Sequence, residues 1–227
     1  MKYSFLALLL FFTMLSSFDQ QQKKKKILFF GDSITEQGAK PGGYIRQFDS
    51  LLMQKAFDKN YETIGAGVSS NKVYDLYLRM DEDVLAKNPD AVVIFIGVND
   101  VWHKATRNTG TDPDKFERFY NAIIKKLQAQ NITVFLCTPA VIGEKNDVTN
   151  ELDGDMNRYA AIVRNVAKNN NCSLIDLRQL FLEHLKSHNP DNKDRGILTT
   201  DGVHLNSDGN KFVAERMFGV LSQNFIK

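Results

Sequence analysis

The stretch KKKKILFFGDSITEQG, Lys23 to Gly38, decides how the rest of the chain is interpreted. Its apolar run, Ile27–Phe30, ends abruptly at Gly31 and is followed by polar residues. A short apolar run bounded by glycine is typical of a strand that is covered on both faces. Ser33 therefore stands just past the end of a buried strand, at the rim of a sheet.

Two interpretations of Ser33 are open at this point. A Ser or Asp just before a helix is a common N-cap, and Asp32 followed by Ser33 fits that role. The nearby glycines, Gly38, Gly42 and Gly43, favour a loop over an immediate helix start. The elbow G-x-S-x-G is absent, so the common α/β-hydrolase arrangement is excluded.

Short apolar runs recur along the chain and alternate with segments whose apolar residues have helical spacing. The runs are Ile27–Phe30, Tyr61–Ala66, Ala91–Gly97, Ile132–Cys137 and Ser173–Leu177. The helical segments are Tyr44–Phe57, Asp112–Gln130, Met156–Asn170 and Asp208–Phe225. Alternating strands and helices predict an α/β fold with a parallel sheet and right-handed crossovers.

Polar and small residues follow the ends of the predicted strands. They are Gly31–Ser33, Gly67–Ser70, Gly97–Asp100 and Thr138–Pro139. In open α/β sheets ligands bind beyond the carboxyl ends of the strands, so we expect these segments to meet at one rim.

A serine nucleophile needs a base and a group that orients the base. Asp201 and His204, three residues apart in TTDGVHLN, form a close Asp/His pair with suitable spacing. A loop carboxylate that bonds its own backbone and a partly buried histidine are the alternatives for these two residues. Their shared spacing and late position favour a catalytic pair.

Four segments resemble the conserved blocks of the GDSL, or SGNH, esterase and lipase superfamily. They are GDSITEQG, GAGVSSNKVYDL, IFIGVNDVW and TTDGVHLN, in the family's order from Gly31 to Asn206. The resemblance implies a flavodoxin-like three-layer α/β/α sandwich with a five-stranded parallel sheet in the order 2-1-3-4-5. It also implies catalysis without a metal or an organic cofactor.

The resemblance assigns roles to individual residues. Ser33 would be the nucleophile, His204 the general base and acid, and Asp201 the residue that orients the histidine. The Ser33 N–H and the Asn99 side chain would donate hydrogen bonds to the oxyanion. In the second block the family's oxyanion glycine is replaced by Ser70, and Gly65 stands where an asparagine is usual. We expect the Ser70 N–H still to donate, with activity reduced rather than abolished.

Trp102 and His103 follow the third block and are candidates for the wall of the substrate pocket. A half-buried tryptophan that only fixes its loop is the alternative. The loops Lys40–Tyr44, Trp102–Thr111 and Ile142–Asp155 are expected to set specificity.

The N-terminus, MKYSFLALLLFFTMLSSFDQ, has the pattern of a secretory signal peptide. We assign residues 1–20 to the signal peptide and its cleavage region, 21–26 to a polar basic lead-in, and 27–227 to a single SGNH hydrolase domain. The protein is expected to be exported, secreted or periplasmic, with no stable membrane span after signal removal; an uncleaved anchor is the alternative. Of 29 basic residues, four lie in Lys23–Lys26, and 27 acidic residues offset the rest, so a nucleic-acid partner is not expected.

The two cysteines, Cys137 and Cys172, end one predicted strand and precede the next. In neighbouring parallel strands they would lie at opposite ends of the sheet, too far apart for a disulfide. We predict free thiols.

The sequence favours a serine esterase that cleaves small acyl esters, acetyl above all, through an acyl-enzyme intermediate, with acylated carbohydrate as a candidate substrate. A carbohydrate-binding protein that has lost catalysis is the alternative, motivated by Ser70. A metal-dependent phosphoesterase using Asp32, Asp100, Asp201 and His204 is a third and weaker alternative, because the chain lacks a second histidine-rich ligand motif.

Overall fold

A computed structural model describes residues 23–227. The predicted signal peptide and the first two residues of the predicted lead-in lie outside the described residues. The first strand begins at Lys25, two positions before the predicted start of the domain. Within the described part of the chain, the helices are all too short or too polar to cross a membrane.

A five-stranded parallel sheet forms the centre of the molecule. Its strands are β1 (Lys25–Gly31), β2 (Tyr61–Gly67), β3 (Ala91–Phe95), β4 (Thr133–Cys137) and β5 (Ser173–Ile175). Their spatial order is β2-β1-β3-β4-β5, which confirms the predicted topology. All neighbouring pairs are parallel. The central strand β3 is buried along its whole length, as expected for a strand covered on both faces.

Helices cover both faces of the sheet. They are α1 (Ser33–Gly38), α2 (Tyr44–Gln54), α3 (Val73–Asp83), α4 (Val98–Arg107), α5 (Pro113–Gln128), α6 (Asp153–Asn169), α7 (Leu177–His188) and α8 (Ser207–Asn224), with a 3-10 turn at Leu85–Lys87. Helix α2 packs against α8, whereas α3 and α6 pack against α5. Phe181 of α7 contacts Phe212 of α8 edge-on. The result is the predicted three-layer α/β/α sandwich.

Two predicted strands end earlier than expected because helices begin directly after them. β3 ends at Phe95 rather than Gly97, and Gly97 adopts a φ of 127° as the residue before α4. β5 ends at Ile175, since the Asp176 carboxylate accepts the Gln179 N–H and caps α7. Most of the expected specificity loop Trp102–Thr111 is consequently helical.

The expectation of a loop after Ser33 is wrong. Ser33 is the first residue of α1, and the Asp32 side chain caps this helix by accepting the Ile34 N–H at 3.0 Å. A strong N-cap outweighs the glycines that follow, because the short helix ends at Gly38 before Gly42 and Gly43 are reached.

Two glycines allow α1 to lie across the strand ends. A Cβ on Gly31 would come within 2.3 Å of the Phe95 carbonyl oxygen. A Cβ on Gly67 would come within 2.0 Å of the Glu36 backbone nitrogen. Only glycine permits such close backbone approach. The two glycines therefore let α1 begin directly after β1, with Ser33 at the end of the sheet.

The cysteines are free, as predicted. Cys137 pairs in register with Ile175, three residues beyond Cys172, so the two thiols lie at different heights of the sheet. Burial raises the pKa of Cys172 to about 11, and burial also raises that of Cys137. Both are protonated, packed side chains.

Candidate active site

Ser33, His204 and Asp201 form a continuous line of hydrogen bonds at the carboxyl rim of the sheet. Ser33 Oγ lies 3.0 Å from His204 Nε2. His204 Nδ1 lies 2.7 Å from Asp201 Oδ2. Since the carboxylate can only accept, the proton of the imidazole sits on Nδ1, and Nε2 is left to accept from the serine hydroxyl. The arrangement has the geometry of a serine hydrolase triad.

The Asp201 carboxylate is fixed by its own loop. Its Oδ1 accepts the backbone N–H groups of Val203 at 3.0 Å and His204 at 2.8 Å. Partial burial acts to raise the pKa of Asp201, but the hydrogen bonds from His204 and Val203 outweigh it and lower the pKa overall. Asp201 is therefore ionised and oriented throughout the neutral range.

A buried glutamate, Glu144, holds the loop that carries this pair. It is fully buried, and its carboxylate accepts the backbone N–H groups of Ile197, Leu198 and Thr199, each at 2.7 Å. The Thr199 hydroxyl in turn accepts the N–H of Gly202, beside Asp201. Glu144 thus connects a distant loop to the backbone immediately before the Asp201–His204 turn.

The three donors that the family resemblance assigns to the oxyanion hole lie on α1, on the loop 69–71 and on α4, and hydrogen bonds join this loop to both helices. The first is the N–H of Ser33 itself, at the N-terminus of α1. The second is the N–H of Ser70. Neither N–H donates to another residue between 23 and 227. The third is the buried Asn99 amide, whose Nδ2 donates to the Asn71 carbonyl at 3.1 Å and retains a second proton.

The Ser70 backbone has a φ of 66°, in the left-handed region that favours glycine. Its neighbours hold it there. The Ser69 N–H and hydroxyl both donate to Glu36 of α1, at 2.8 and 2.5 Å. Lys72 Nζ donates to the Ser70 carbonyl at 3.0 Å. The hydrogen bond from Asn99 to Asn71 completes the restraint. A serine tolerates this conformation because bonds on each side fix it.

We expect Ser70→Gly to keep or raise kcat on a small aryl ester. Glycine adopts positive φ without the penalty of about 1 kcal/mol that a side chain carries, and it retains the N–H. Steady-state kinetics of the variant beside Ser70→Ala would check this. A fall in kcat of about tenfold or more in both Ser70→Gly and Ser70→Ala would instead show that the serine hydroxyl contributes to catalysis.

Two carboxyl groups are buried beneath the site. Burial raises the pKa of Asp32 to about 7, although the Ile34 N–H and His204 oppose the rise. Burial likewise raises the pKa of Asp100 to about 7, opposed by hydrogen bonds that include the Val73 N–H. Asp32 caps its own turn through the Ile34 N–H, whereas Asp100 accepts the N–H of Val73, 27 positions earlier, and so joins α4 to the start of α3.

These raised pKa values predict stability that falls as pH rises. Between about pH 4 and 7 the folded state keeps a proton on Asp100 that the unfolded chain has lost, so unfolding becomes easier with increasing pH. We expect the free energy of unfolding to fall less steeply with pH in Asp100→Asn. The part of the decline removed should be on the order of a few kcal/mol between pH 5 and 8.

Urea unfolding of both proteins at several pH values would measure the decline. The control is Asp191→Asn, whose side chain is 70% exposed. An unchanged pH dependence in Asp100→Asn would show that Asp100 ionises normally in the folded protein.

The structure separates the two candidate pocket residues. Trp102 is half-buried and lines a cleft of about 590 Å³. His103 is only 4% exposed, and burial together with Arg107 and Lys72 lowers its pKa. The tryptophan can therefore meet a ligand at the surface, whereas the histidine is turned into the protein.

Comparison with known proteins places this geometry in a family. The model of the GDSL-like lipase/acylhydrolase family matches residues 29–212. The chain belongs to that family. It is accordingly a carboxylic-ester hydrolase of the GDSL type, as its motifs predicted.

Individual relatives agree with this assignment. An acetylxylan esterase from Geobacillus stearothermophilus is 30% identical over 204 residues, which cover 83% of this chain and 90% of the relative. An isoamyl acetate-hydrolyzing esterase 1 homolog from Rattus norvegicus is 26% identical, over 87% of this chain and 81% of the relative. The crystal structure of the acetyl xylan esterase AlAXEase superposes with a TM-score of 0.84 at 61% identity, and covers 86% of this chain and 98% of that one.

Two features of the site were missed by sequence reasoning. Glu144 lies in a polar segment that resembles any surface turn. Arg79 donates to the carbonyls of Gly31 and Ala66 and to the Asn71 side chain. It therefore joins the ends of β1 and β2 to the loop that carries Ser70. A charged residue inside an amphipathic helix gives no sign of such partners.

Proposed function

We propose that the protein is a serine esterase that removes small acyl groups, acetyl above all, from carbohydrate through an acyl-enzyme intermediate. The observation that carries the proposal is the line from Ser33 Oγ through His204 to Asp201, with both hydrogen bonds at 3.0 Å or less. The acetylxylan esterases among its relatives support acetyl as the acyl group and a glycan as the alcohol.

The first half of the reaction forms the acyl-enzyme. His204 Nε2 takes the hydroxyl proton as Ser33 Oγ attacks the ester carbonyl carbon, and the carbonyl electrons move to the oxygen. The N–H groups of Ser33 and Ser70 and the amide of Asn99 stabilise this oxyanion. Collapse of the intermediate expels the sugar oxygen, which takes the proton from His204.

The second half releases the acid. A water gives a proton to His204 Nε2 and attacks the acyl carbon, and a second oxyanion forms in the same site. Its collapse breaks the bond to Ser33 Oγ, which recovers a proton from His204. Asp201 stabilises the imidazolium in both halves without taking its proton.

The binding-only alternative is less well supported. A complete triad and an available Asn99 proton are present, the Ser70 N–H has no acceptor among residues 23–227, and Ser70 has a φ of 66°, in the region that glycine favours. For the phosphoesterase alternative, no group of three or more His, Cys, Asp or Glu side chains between residues 23 and 227 is placed to hold a metal ion.

Hydrolysis of 4-nitrophenyl esters of increasing acyl length, and of an acetylated xylooligosaccharide, tests the proposal. We expect the highest kcat/KM for acetate, release of acetate from the oligosaccharide, and no effect of a chelator. Activity that disappears with the chelator would favour the phosphoesterase alternative. A folded protein that binds the oligosaccharide but cleaves no ester would favour the binding-only alternative.

Asn99→Ala should lower kcat by about 10² with little change in KM, because the amide acts on charge that develops only in the transition state. Steady-state kinetics on 4-nitrophenyl acetate measures both constants. A matched exposed amide, Asn224→Ala, serves as the control. An unchanged kcat in Asn99→Ala would mean that this amide only holds the Asn71 carbonyl and does not contact the oxyanion.

A further inference from the structure

We infer that the cleft containing Trp102 binds the sugar rings next to the acylated one, with the indole as a stacking platform. This inference rests on the proposed function and names the surface that recognises the glycan. The cleft has a volume of about 590 Å³ and lies between α4 and the segment 142–152. It is referred to below as the Trp102 cleft.

One wall of the cleft comes from the helix that supplies an oxyanion donor. Trp102 lies three residues after Asn99 on α4, so it occupies nearly the same helix face about 4.5 Å further along the axis. Ala105 and Thr106 extend this wall. A ligand whose ester sits beside Asn99 can therefore continue over the indole.

The opposite wall is joined to the catalytic loop. The Gly143 N–H donates to the Gly202 carbonyl at 2.8 Å, next to Asp201. The following residue is Glu144, which holds the backbone of residues 197–199. The cleft is therefore bounded on one side by α4, which carries Asn99, and on the other by a segment that is hydrogen-bonded to the loop carrying Asp201 and His204.

The chemistry of the lining suits a pyranose. The hydrogens on one face of such a ring carry partial positive charge and pack against the electron-rich face of an aromatic ring. The hydroxyl groups at its edge need polar partners. Lys145 and Glu151 line the cleft and form no salt bridge with any residue from 23 to 227. They supply donors and an acceptor at the rim of the platform.

The chain provides a direct reporter for this cleft, because Trp102 is its single tryptophan. The experiment titrates an acetylated xylooligosaccharide, and the same sugar without acetyl groups, into the Ser33→Ala protein while tryptophan emission is recorded. We expect a saturable change with both sugars. No change with a sugar that the wild type deacetylates would overturn the inference, since the glycan would then bind without contacting Trp102.

Kinetics provide the second readout. We expect Trp102→Ala to lower the ratio of kcat/KM on the acetylated oligosaccharide to kcat/KM on 4-nitrophenyl acetate by about tenfold, and Trp102→Phe to restore most of it. A competing cleft of about 610 Å³ lies beside α1 and includes part of the loop Lys40–Tyr44. Gln37→Ala alters that cleft, and we expect it to leave the ratio unchanged.

The outcomes separate this inference from the proposed function. Two results would overturn the inference about the Trp102 cleft and leave the esterase assignment intact. One is an equal loss of kcat/KM on both substrates in Trp102→Ala, and the other is a ratio that falls in Gln37→Ala instead. A wild type that cleaves aryl acetates but neither binds nor deacetylates the oligosaccharide would refute the glycan substrate and this inference together.

Discussion

Replacement of Ser33 by alanine should lower kcat on 4-nitrophenyl acetate by at least about 10⁴. The hydroxyl is the attacking group in the proposed reaction, and Ser33 Oγ lies 3.0 Å from the base, His204 Nε2. The fold should be unaffected, since the Ser33 hydroxyl has no hydrogen-bond partner in the described residues except His204. Steady-state kinetics and a thermal unfolding curve of the variant measure the two expectations.

The double variant Ser33→Ala/His204→Ala provides the control. Because the two residues act as one unit, the double variant should be little slower than either single variant. Losses that multiply would show that Ser33 and His204 act independently. A residual rate in Ser33→Ala above about a hundredth of the wild type would exclude Ser33 as the nucleophile.

Replacement of Glu144 by alanine should reduce the free energy of unfolding by on the order of 4 kcal/mol, because it leaves two buried and one partly buried N–H group without an acceptor, and each buried group costs about 1–3 kcal/mol. These groups belong to Ile197, Leu198 and Thr199, just before the Asp201–His204 turn. In the fraction that remains folded, we therefore also expect a lower kcat, with a smaller relative increase in KM. Urea unfolding and kinetics at low temperature test the two effects.

Glu144→Gln separates positioning from bulk stability. Glutamine keeps one acceptor oxygen at the same place, so it should recover part of the stability and part of kcat. Glu117→Ala removes an exposed glutamate on α5 and serves as the matched control. If Glu144→Ala unfolds more easily but the folded fraction has the wild-type kcat, Glu144 is structural only and does not position His204.

The fold class and the Asp201–His204 pair were accessible from the sequence because both depend on local patterns. Continuous apolar runs such as Ile27–Phe30 give the strands, and alternation with helical segments gives the parallel sheet. Asp201 and His204 lie on one turn, so their spacing alone brings the carboxylate to the imidazole. Strand order and the partnership with Ser33 followed from the motif resemblance, which the observed distances support.

The remaining features depend on contacts between distant parts of the chain. Glu144 bonds a backbone segment more than fifty positions away, and only the folded structure shows that its carboxylate is buried. The start of α1 was misjudged for a different reason: the Asp32 cap is decided by a single side-chain bond that competes with nearby glycines. The motif resemblance placed Ser70 where the family has a glycine, but the bonds from Ser69 to Glu36 and from Lys72 to the Ser70 carbonyl, which hold its left-handed conformation, were not predicted.

The most direct test of the central claim is labelling of the active protein with a fluorophosphonate, followed by intact mass and peptide mapping. The reagent reacts with an activated serine whether or not an acyl-enzyme accumulates. We expect one adduct per chain, on the peptide that contains Ser33, loss of esterase activity in proportion to labelling, and no adduct in His204→Ala. Full esterase activity after prolonged exposure, or an adduct on a residue other than Ser33, would contradict the proposal that Ser33 is the nucleophile activated by His204.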